Sequence, residues 1–266
     1  MVEDRTPDGG WVPGGPSLYC ARAAAALGVR VTLATRLTEG YDRSVLAGLD
    51  VQSAPAESVP RYANTYDANG ERTQYLLAPG DPLAITMELD TPADALIVAP
   101  AYHELRALPR VAHNLLAVSL QGVLRTTDRE GRVRPAGDPV GAASPFSRPG
   151  SFVFFSEEDT DDPDGLAKAL AAGEVTVLLT RGYRGATVYA SGRVAHFDAL
   201  PASPVDPTGA GDCFATAFLV RYVETGSLTD ALRFALAAGA LAVEGIGLAG
   251  IPTRTAIESR LSRVAA

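Results

Sequence analysis

The sequence has a single lysine, Lys168, only two cysteines, Cys20 and Cys213, and a formal net charge of −8 over 266 residues. Duplex recognition rests on a basic face that neutralises phosphates, so this charge balance argues against a nucleic-acid partner. Lys168 lies in a helical pattern over 162–172, and no Gly-x-x-x-x-Gly-Lys-Ser/Thr loop exists, which excludes a P-loop enzyme. Each cysteine is embedded in an apolar helical pattern, so two reduced, buried thiols are expected instead of a disulfide framework or a zinc site. No apolar run reaches bilayer-spanning length, and the start Met1-Val2-Glu3-Asp4-Arg5 has no signal-peptide character. The expectation is a soluble, cytoplasmic protein with no membrane partner. Attraction for a polyanion must come from arginines, backbone N–H groups or a metal ion.

With 47% hydrophobic residues, the chain can bury one large core, and a single α/β domain over 1–266 is expected. There is no internal repeat. A helix at 17–27 is followed by short aliphatic or β-rich runs at 29–35, 95–99, 115–120, 151–155 and 175–179. Continuous apolar strands alternating with helices predict a mostly parallel sheet covered on both faces. Ligands in such sheets gather outside the carboxyl ends of the strands, which places Gln121, Ser156, Thr180 and the turn at Gly209 along one edge. Two hairpins interrupt the alternation. Segments 61–66 and 73–77 flank Asp67-Ala68-Asn69-Gly70, with the Asn-Gly pair as turn, and 186–190 and 193–197 flank Ser191-Gly192. Ser227 is a helix N-cap before a small-residue helix over 231–243.

The most informative run is Asp206-Pro207-Thr208-Gly209-Ala210-Gly211-Asp212, followed by an apolar helix to about Gly226. Gly-Ala-Gly leaves backbone N–H groups open to a ligand at a helix N-terminus, where the dipole favours negative charge. Asp212 stands beside that spot as a base. In isolation the pattern reads more readily as a helix cap.

This run resembles the C-terminal signature of the PfkB or ribokinase family of carbohydrate kinases. Further stretches are similar to the family in the same order. Gly14-Gly15-Pro16 resembles its turn against the phosphate acceptor. Ser156-Glu157-Glu158-Asp159 resembles its Asn-x-x-Glu magnesium motif, and Thr180-Arg181-Gly182-Tyr183-Arg184-Gly185 its nucleotide turn. The resemblance implies a ribokinase-like fold with a small β lid, inserted at about 51–80, that closes over the acceptor. It implies an ATP-dependent phosphotransferase acting on a sugar or polyol, with MgATP as donor. Asp212 would be the base and Gly209, Ala210 and Gly211 the anion hole. Thr180, Gly182, Gly185, Thr208 and Gly247 would bind nucleotide; Gly14, Gly15, Gln121 and Asp8 would bind substrate; Ser156 and Asp159 would hold Mg2+. The loop 245–252 would border the adenine and a monovalent cation (K+), although a plain helix-ending glycine loop fits it as well.

Three departures bear on this. Ser156 and Asp159 stand where the family has Asn and Glu, so the segment also reads as an acidic helix start. Family members begin with a strand ending in an acceptor-binding Asp, whereas Gly14-Gly15 comes a few residues after Met1. The readings are a start assigned too late or a shortened variant, and added upstream residues are expected to raise stability. Leu18 and Tyr19 replace a common Asn, which with few basic lid residues favours a neutral polyol or sugar. A nucleoside stacking on Tyr62 and Tyr66 is the alternative, as is a non-catalytic nucleotide- or sugar-binding member. A dinucleotide oxidoreductase lacks its Gly-x-Gly-x-x-Gly after a first strand. The lid could pair with a second copy in a homodimer.

Overall fold

The computed structural model describes residues 1–6, 8–66, 72–83, 86–87 and 92–264. The strands in chain order are β1 (Val2–Arg5), β2 (Trp11–Gly14), β3 (Thr32–Leu37), β4 (Asp50–Pro55), β5 (Arg61–Tyr66), β6 (Arg72–Ala78), β7 (Thr86–Met87) and β8 (Ala93–Val98). They continue with β9 (Arg110–Val111), β10 (His113–Ser119), β11 (Arg125–Thr127), β12 (Val133–Pro135), β13 (Phe152–Ser156), β14 (Thr176–Thr180), β15 (Ala186–Ala190) and β16 (Arg193–Phe197). The helices are α1 (Pro16–Ala26), α2 (Pro139–Ala143), α3 (Pro163–Ala171), α4 (Ala210–Thr225), α5 (Leu228–Ala242) and α6 (Arg254–Val264).

The central sheet has the order β16-β15-β14-β13-β10-β8. Its strands β8, β10, β13 and β14 pair in parallel, and the β15–β16 hairpin adds antiparallel at one edge. Strand β13 is apolar from Phe152 to Phe155 because both faces are covered. Val153 and Phe155 pack with Val177, Leu179 and the α3 residues Leu166 and Leu170 on one side. On the other, Phe152 and Phe154 pack with Leu178, Phe214 and Phe218 of α4 and Leu232 of α5. Phe218 is fully buried, with its ring stacked on Tyr222 at 5.8 Å. Burial of one such ring stabilises by about 1.5–3 kcal/mol. This mostly parallel α/β architecture is the one the alternating pattern predicts.

A second sheet, ordered β2-β1-β5-β6, lies apart from the central one. The expected hairpin 61–66/73–77 is present as β5 and β6, while its Asn69-Gly70 turn lies outside the described residues. The rest of the 51–80 segment departs from expectation. Strand β4 pairs in parallel with β3 instead, and β1 and β2 complete the second sheet. The charged Val2–Arg5 stretch carries no alternating apolar signal, so nothing in the sequence marked it as a strand. Its alternation is of another kind. Glu3 and Arg5 face the side where Glu3 pairs with Arg61 at 2.8 Å and both arginines lie over Trp11. Val2 and Asp4 face the opposite side with Tyr62.

Candidate active site

Helix α4 begins where Gly209 adopts a left-handed conformation (φ 78°), and Cys213 N–H donates to Gly209 O at 2.9 Å. The Ala210 N–H closes a turn onto Pro207 O at 3.2 Å. That bond takes one of the three expected anion-hole donors. Gly211 and Asp212 follow in the first turn, whose N–H groups have no partner within the helix. A side chain at Gly211 would meet nothing within 4 Å, so the backbone there is open. Gly209 is different: a Cβ would fall 2.0 Å from Cδ1 of Tyr19, whose ring from α1 lies against the turn.

Asp206 organises the same turn. One carboxylate oxygen accepts Thr208 N–H and the other accepts Gly247 N–H, both at 2.9 Å. Thr208 and Gly247, expected to share a nucleotide site, are thereby tied to one carboxylate. The backbone of Val205 and Asp206 bonds to Val243 O, and Val205 and Ile246 are left 62% and 70% exposed beside the turn. Such apolar exposure beside a polar turn suits the face of a planar, apolar group.

Asp212 sits at the mouth of α4 with the Cys20 thiol 4.0 Å from its Oδ1. Burial raises its carboxyl to about 7, with Arg125 opposing that shift and Asp159 adding to it. An acid poised near neutrality suits proton transfer at physiological pH. Asp159 is itself buried, and burial raises its carboxyl in the same way, with Arg125, the Ser156 N–H and Gln121 opposing that shift. Gln121, Asp159 and Asp212, distant in sequence, thus converge at the carboxyl ends of the strands.

Ser156 and Thr180 are register partners at the ends of β13 and β14. Ser156 N–H donates to Asp159 Oδ2 at 2.7 Å and Ser156 Oγ accepts Glu158 N–H at 3.3 Å, a reciprocal cap of the short turn Glu157–Asp159. This is the acidic helix start left open by the sequence, and it occupies the Ser156 oxygen. Among the described residues no group of three or more His, Cys, Asp or Glu is placed to hold a metal ion. Magnesium in such a site would be held by phosphate oxygens and water, with Asp159 as the acid that fits. Gly182 and Gly185 both have positive φ, and Gly185 packs so closely on Phe197 O that a Cβ would lie 2.0 Å away. Arg181, just before them, is committed to Thr187, Asp164 and Glu157.

On the opposite wall, Gly14 and Gly15 are pressed against β1: a Cβ on Gly14 would lie 2.6 Å from Asp4 Oδ2, and one on Gly15 2.4 Å from Val2 Cγ2. Asp8 does not join them. It is exposed, and its carboxylate caps its own turn by accepting from Thr6 and Gly10. Asp4 is the acid that faces Gly14, and with Asp206 and Asp212 it surrounds Tyr19, whose hydroxyl is raised by burial and then by these charges. The expected stacking platform at Tyr62 also fails: this ring is 3% exposed and its hydroxyl donates to Ala101 O at 2.9 Å. The Tyr66 side chain lies outside the described residues.

Residues 152–254 match the pfkB family carbohydrate kinases. This segment is similar to that family. The chain is similar to the ribokinase of Bacillus subtilis (strain 168), 38% identical over 36% of this chain and 33% of the relative. It is similar also to the inositol 3-kinase of Zea mays, 30% identical over 49% of this chain and 34% of the relative. The matched segments thus span about a third of each relative. Two solved structures share the fold. A pyrophosphate-dependent ribokinase-family kinase, complexed with a pyrophosphate analog and myo-inositol, aligns with TM-score 0.74 at 18% identity, over 97% of this chain and 96% of its own. Arabidopsis thaliana ribokinase, complexed with ribose and ATP, aligns with TM-score 0.69 at 18% identity, over 98% and 94%. No helix among the described residues is long and apolar enough to cross a membrane.

Proposed function

We propose that this chain transfers the γ-phosphate of MgATP to a hydroxyl of a neutral sugar or polyol. The observation that carries the reading is Asp212, a carboxyl raised to about 7 at the mouth of α4, beside first-turn N–H groups. Phosphoryl transfer needs an aligned acceptor oxygen, a destination for its proton and compensation of charge on the moving group. Asp212 takes the proton, a role contributing on the order of 10²–10⁴ in rate. Gly211 and Asp212 N–H, with the dipole of α4, hold developing negative charge. The Asp206-tied loops and the exposed Val205 and Ile246 flank the donor. Magnesium supplies charge neutralisation between the phosphates, and Asp159 holds it through water; Ser156 acts as a cap.

The acceptor lies under the second sheet, which acts as lid. The lid face bearing Asp4 also bears Asn64 and Gln74, hydrogen-bonded to each other at 3.1 Å, a neutral-to-acidic lining suited to hydroxyls. Burial of Tyr62 weighs against a stacked nucleobase. Myo-inositol-like rings and pentoses are therefore the favoured acceptors.

A second donor reading has its own support. The pyrophosphate-dependent kinase aligns with a higher TM-score, 0.74, than the ATP-bound ribokinase, 0.69. Transfer of label from γ-³²P-ATP or from ³²P-pyrophosphate to a panel of polyols, sugars and nucleosides tests both. Label in a polyol or sugar from ATP supports the first donor; label only from pyrophosphate supports the second; none from either, with nucleotide bound, supports a binding-only protein.

A further inference from the structure

Helix α1 enters the fold with its first residues held on several sides. Gly15 is its N-cap at φ 93°, and the N–H groups of Leu18 and Tyr19 both donate to Gly15 O, at 3.1 and 3.2 Å. Ser17 Oγ donates to Ala99 O, directly after β8, at 2.8 Å. Leu18 is fully buried in a cluster with Met1, Ala21, Leu33 and Leu37. The start of α1 is thereby fixed on the sheet and joined to the glycine pair of the acceptor wall.

From this anchored turn the ring of Tyr19, 6% exposed, reaches the start of α4. A Cβ on Gly209 would fall 2.0, 2.3 and 2.6 Å from its Cδ1, Cε1 and Cγ, so one edge of the ring lies against the glycine. The hydroxyl end lies 3.6 Å from where a Cβ on Gly247 would stand. The other bonds at this turn arise close by: Ala210 N–H closes onto Pro207 O, and Asp206 accepts from Thr208 and Gly247 N–H. Tyr19 brings the contact from a separate element. Gly209 has no side chain with which to hold its own place, so what packs against it decides where the turn sits.

We propose that Tyr19 is a positioning residue that sets the spacing between the acceptor wall at Gly14-Gly15 and the anion-receiving turn at Gly209. The inference rests on the kinase reading above and deepens it. In the transfer, the bond between the γ-phosphorus and its bridging oxygen breaks, and that oxygen leaves on ADP. A bond forms between the acceptor oxygen and the phosphorus, and the acceptor proton passes to Asp212. This requires reacting atoms about 3–3.5 Å apart, and a misplacement of about 1 Å costs on the order of 10²-fold in rate. The acceptor stands on one side of that gap and the phosphoryl on the other. Tyr19 is bonded to the first side through Gly15 O and packed on the second through its ring. The atoms nearest Gly209 are ring carbons, so the flat ring, and not the hydroxyl, does the positioning.

The test combines steady-state kinetics, calorimetric binding of MgATP and hydrogen exchange in the unmodified chain and in Tyr19→Phe, Tyr19→Leu and Tyr19→Ala. The expected result is a kcat lowered about 10²-fold in Ala, with the MgATP Kd within about threefold of the unmodified value and Phe within about threefold in both quantities. Leu should fall between them. Exchange at Cys213 N–H, bonded to Gly209 O at 2.9 Å, should accelerate in Ala relative to the amides of β14, and should not in Phe. A residue serving stability alone would lower Tm, leave kcat in place and raise exchange in β14 as much as at Cys213. An Ala chain that keeps kcat, a Phe chain that loses as much as Ala, or Cys213 exchange that rises no more than that of β14 overturns the proposal. Absence of turnover with every acceptor in the unmodified chain would overturn the kinase reading, and the exchange comparison would still decide the role of Tyr19. If Ala fails to fold, Leu carries the comparison: kcat and Cys213 exchange equal to those of the unmodified chain contradict the assignment.

Discussion

The ring of Tyr19 lies so close to Gly209 that a Cβ on the glycine would fall 2.0 Å from Cδ1 of the tyrosine. Gly209 is thus required twice, once by its left-handed φ of 78° and once by the tyrosine ring. Gly209→Ala should cost about 1–3 kcal/mol from the backbone alone, plus an overlap term, and abolish turnover. Adding Tyr19→Ala should recover part of the stability without restoring activity. Urea unfolding of the two single variants and the double variant gives the coupling as a double-mutant cycle.

Asp212 determines a pH response with a definite sign. The carboxyl titrates near 3.8 in the unfolded chain and about 7 in the fold, so between these values the folded state holds a proton the unfolded state has released. Stability therefore falls as pH rises from about 4 to 7. Asp212→Asn should flatten that slope and be more stable than the unmodified chain at pH 7. The rate should rise with pH along a limb centred near 7, because the ionised form is the base. Denaturation at several pH values and a kcat/KM profile check both statements.

Asp206 is predicted to act on the donor side. Asp206→Ala removes two charge-assisted bonds, to Thr208 and Gly247 N–H. Each is worth about 1.5–3 kcal/mol. The expected effect is a rise in nucleotide Kd of at least tenfold, with acceptor KM less affected, measurable by calorimetry.

Ser156→Ala separates a cap from a metal ligand. Its oxygen accepts Glu158 N–H, so the variant should lose about 1 kcal/mol of stability. The magnesium concentration giving half-maximal activity should remain unchanged, whereas Asp159→Asn should raise it. A magnesium titration of the two variants makes the comparison.

The central sheet was legible because each strand carries its signal locally. Phe152–Phe155 and Val177–Leu179 are unbroken apolar runs, and Ser191-Gly192 marks the edge hairpin. The glycine-rich start of α4 was legible for the same reason: the glycines and Asp212 are adjacent in sequence. What escaped depends on partners that sequence does not bring together. Val2–Arg5 is a strand by pairing with Trp11–Gly14 and Arg61–Tyr66, although two of its four residues are acidic. Tyr62 looked available for stacking until its neighbours Val2 and Ala101 buried it. Asp8 and Asp4 were indistinguishable as nearby acids, and strand register turned one toward Gly14 while the other stayed in an exposed turn.

The most direct test of the account is acceptor-dependent ADP release from MgATP across polyols, sugars, sugar phosphates and nucleosides, with Asp212→Asn measured beside the unmodified chain. The account predicts turnover with a neutral polyol or sugar, lowered at least 10²-fold by the substitution while ATP binding persists. Turnover that survives the substitution would contradict the assignment of Asp212 as the base, and ATP binding without turnover on any acceptor would contradict the kinase itself.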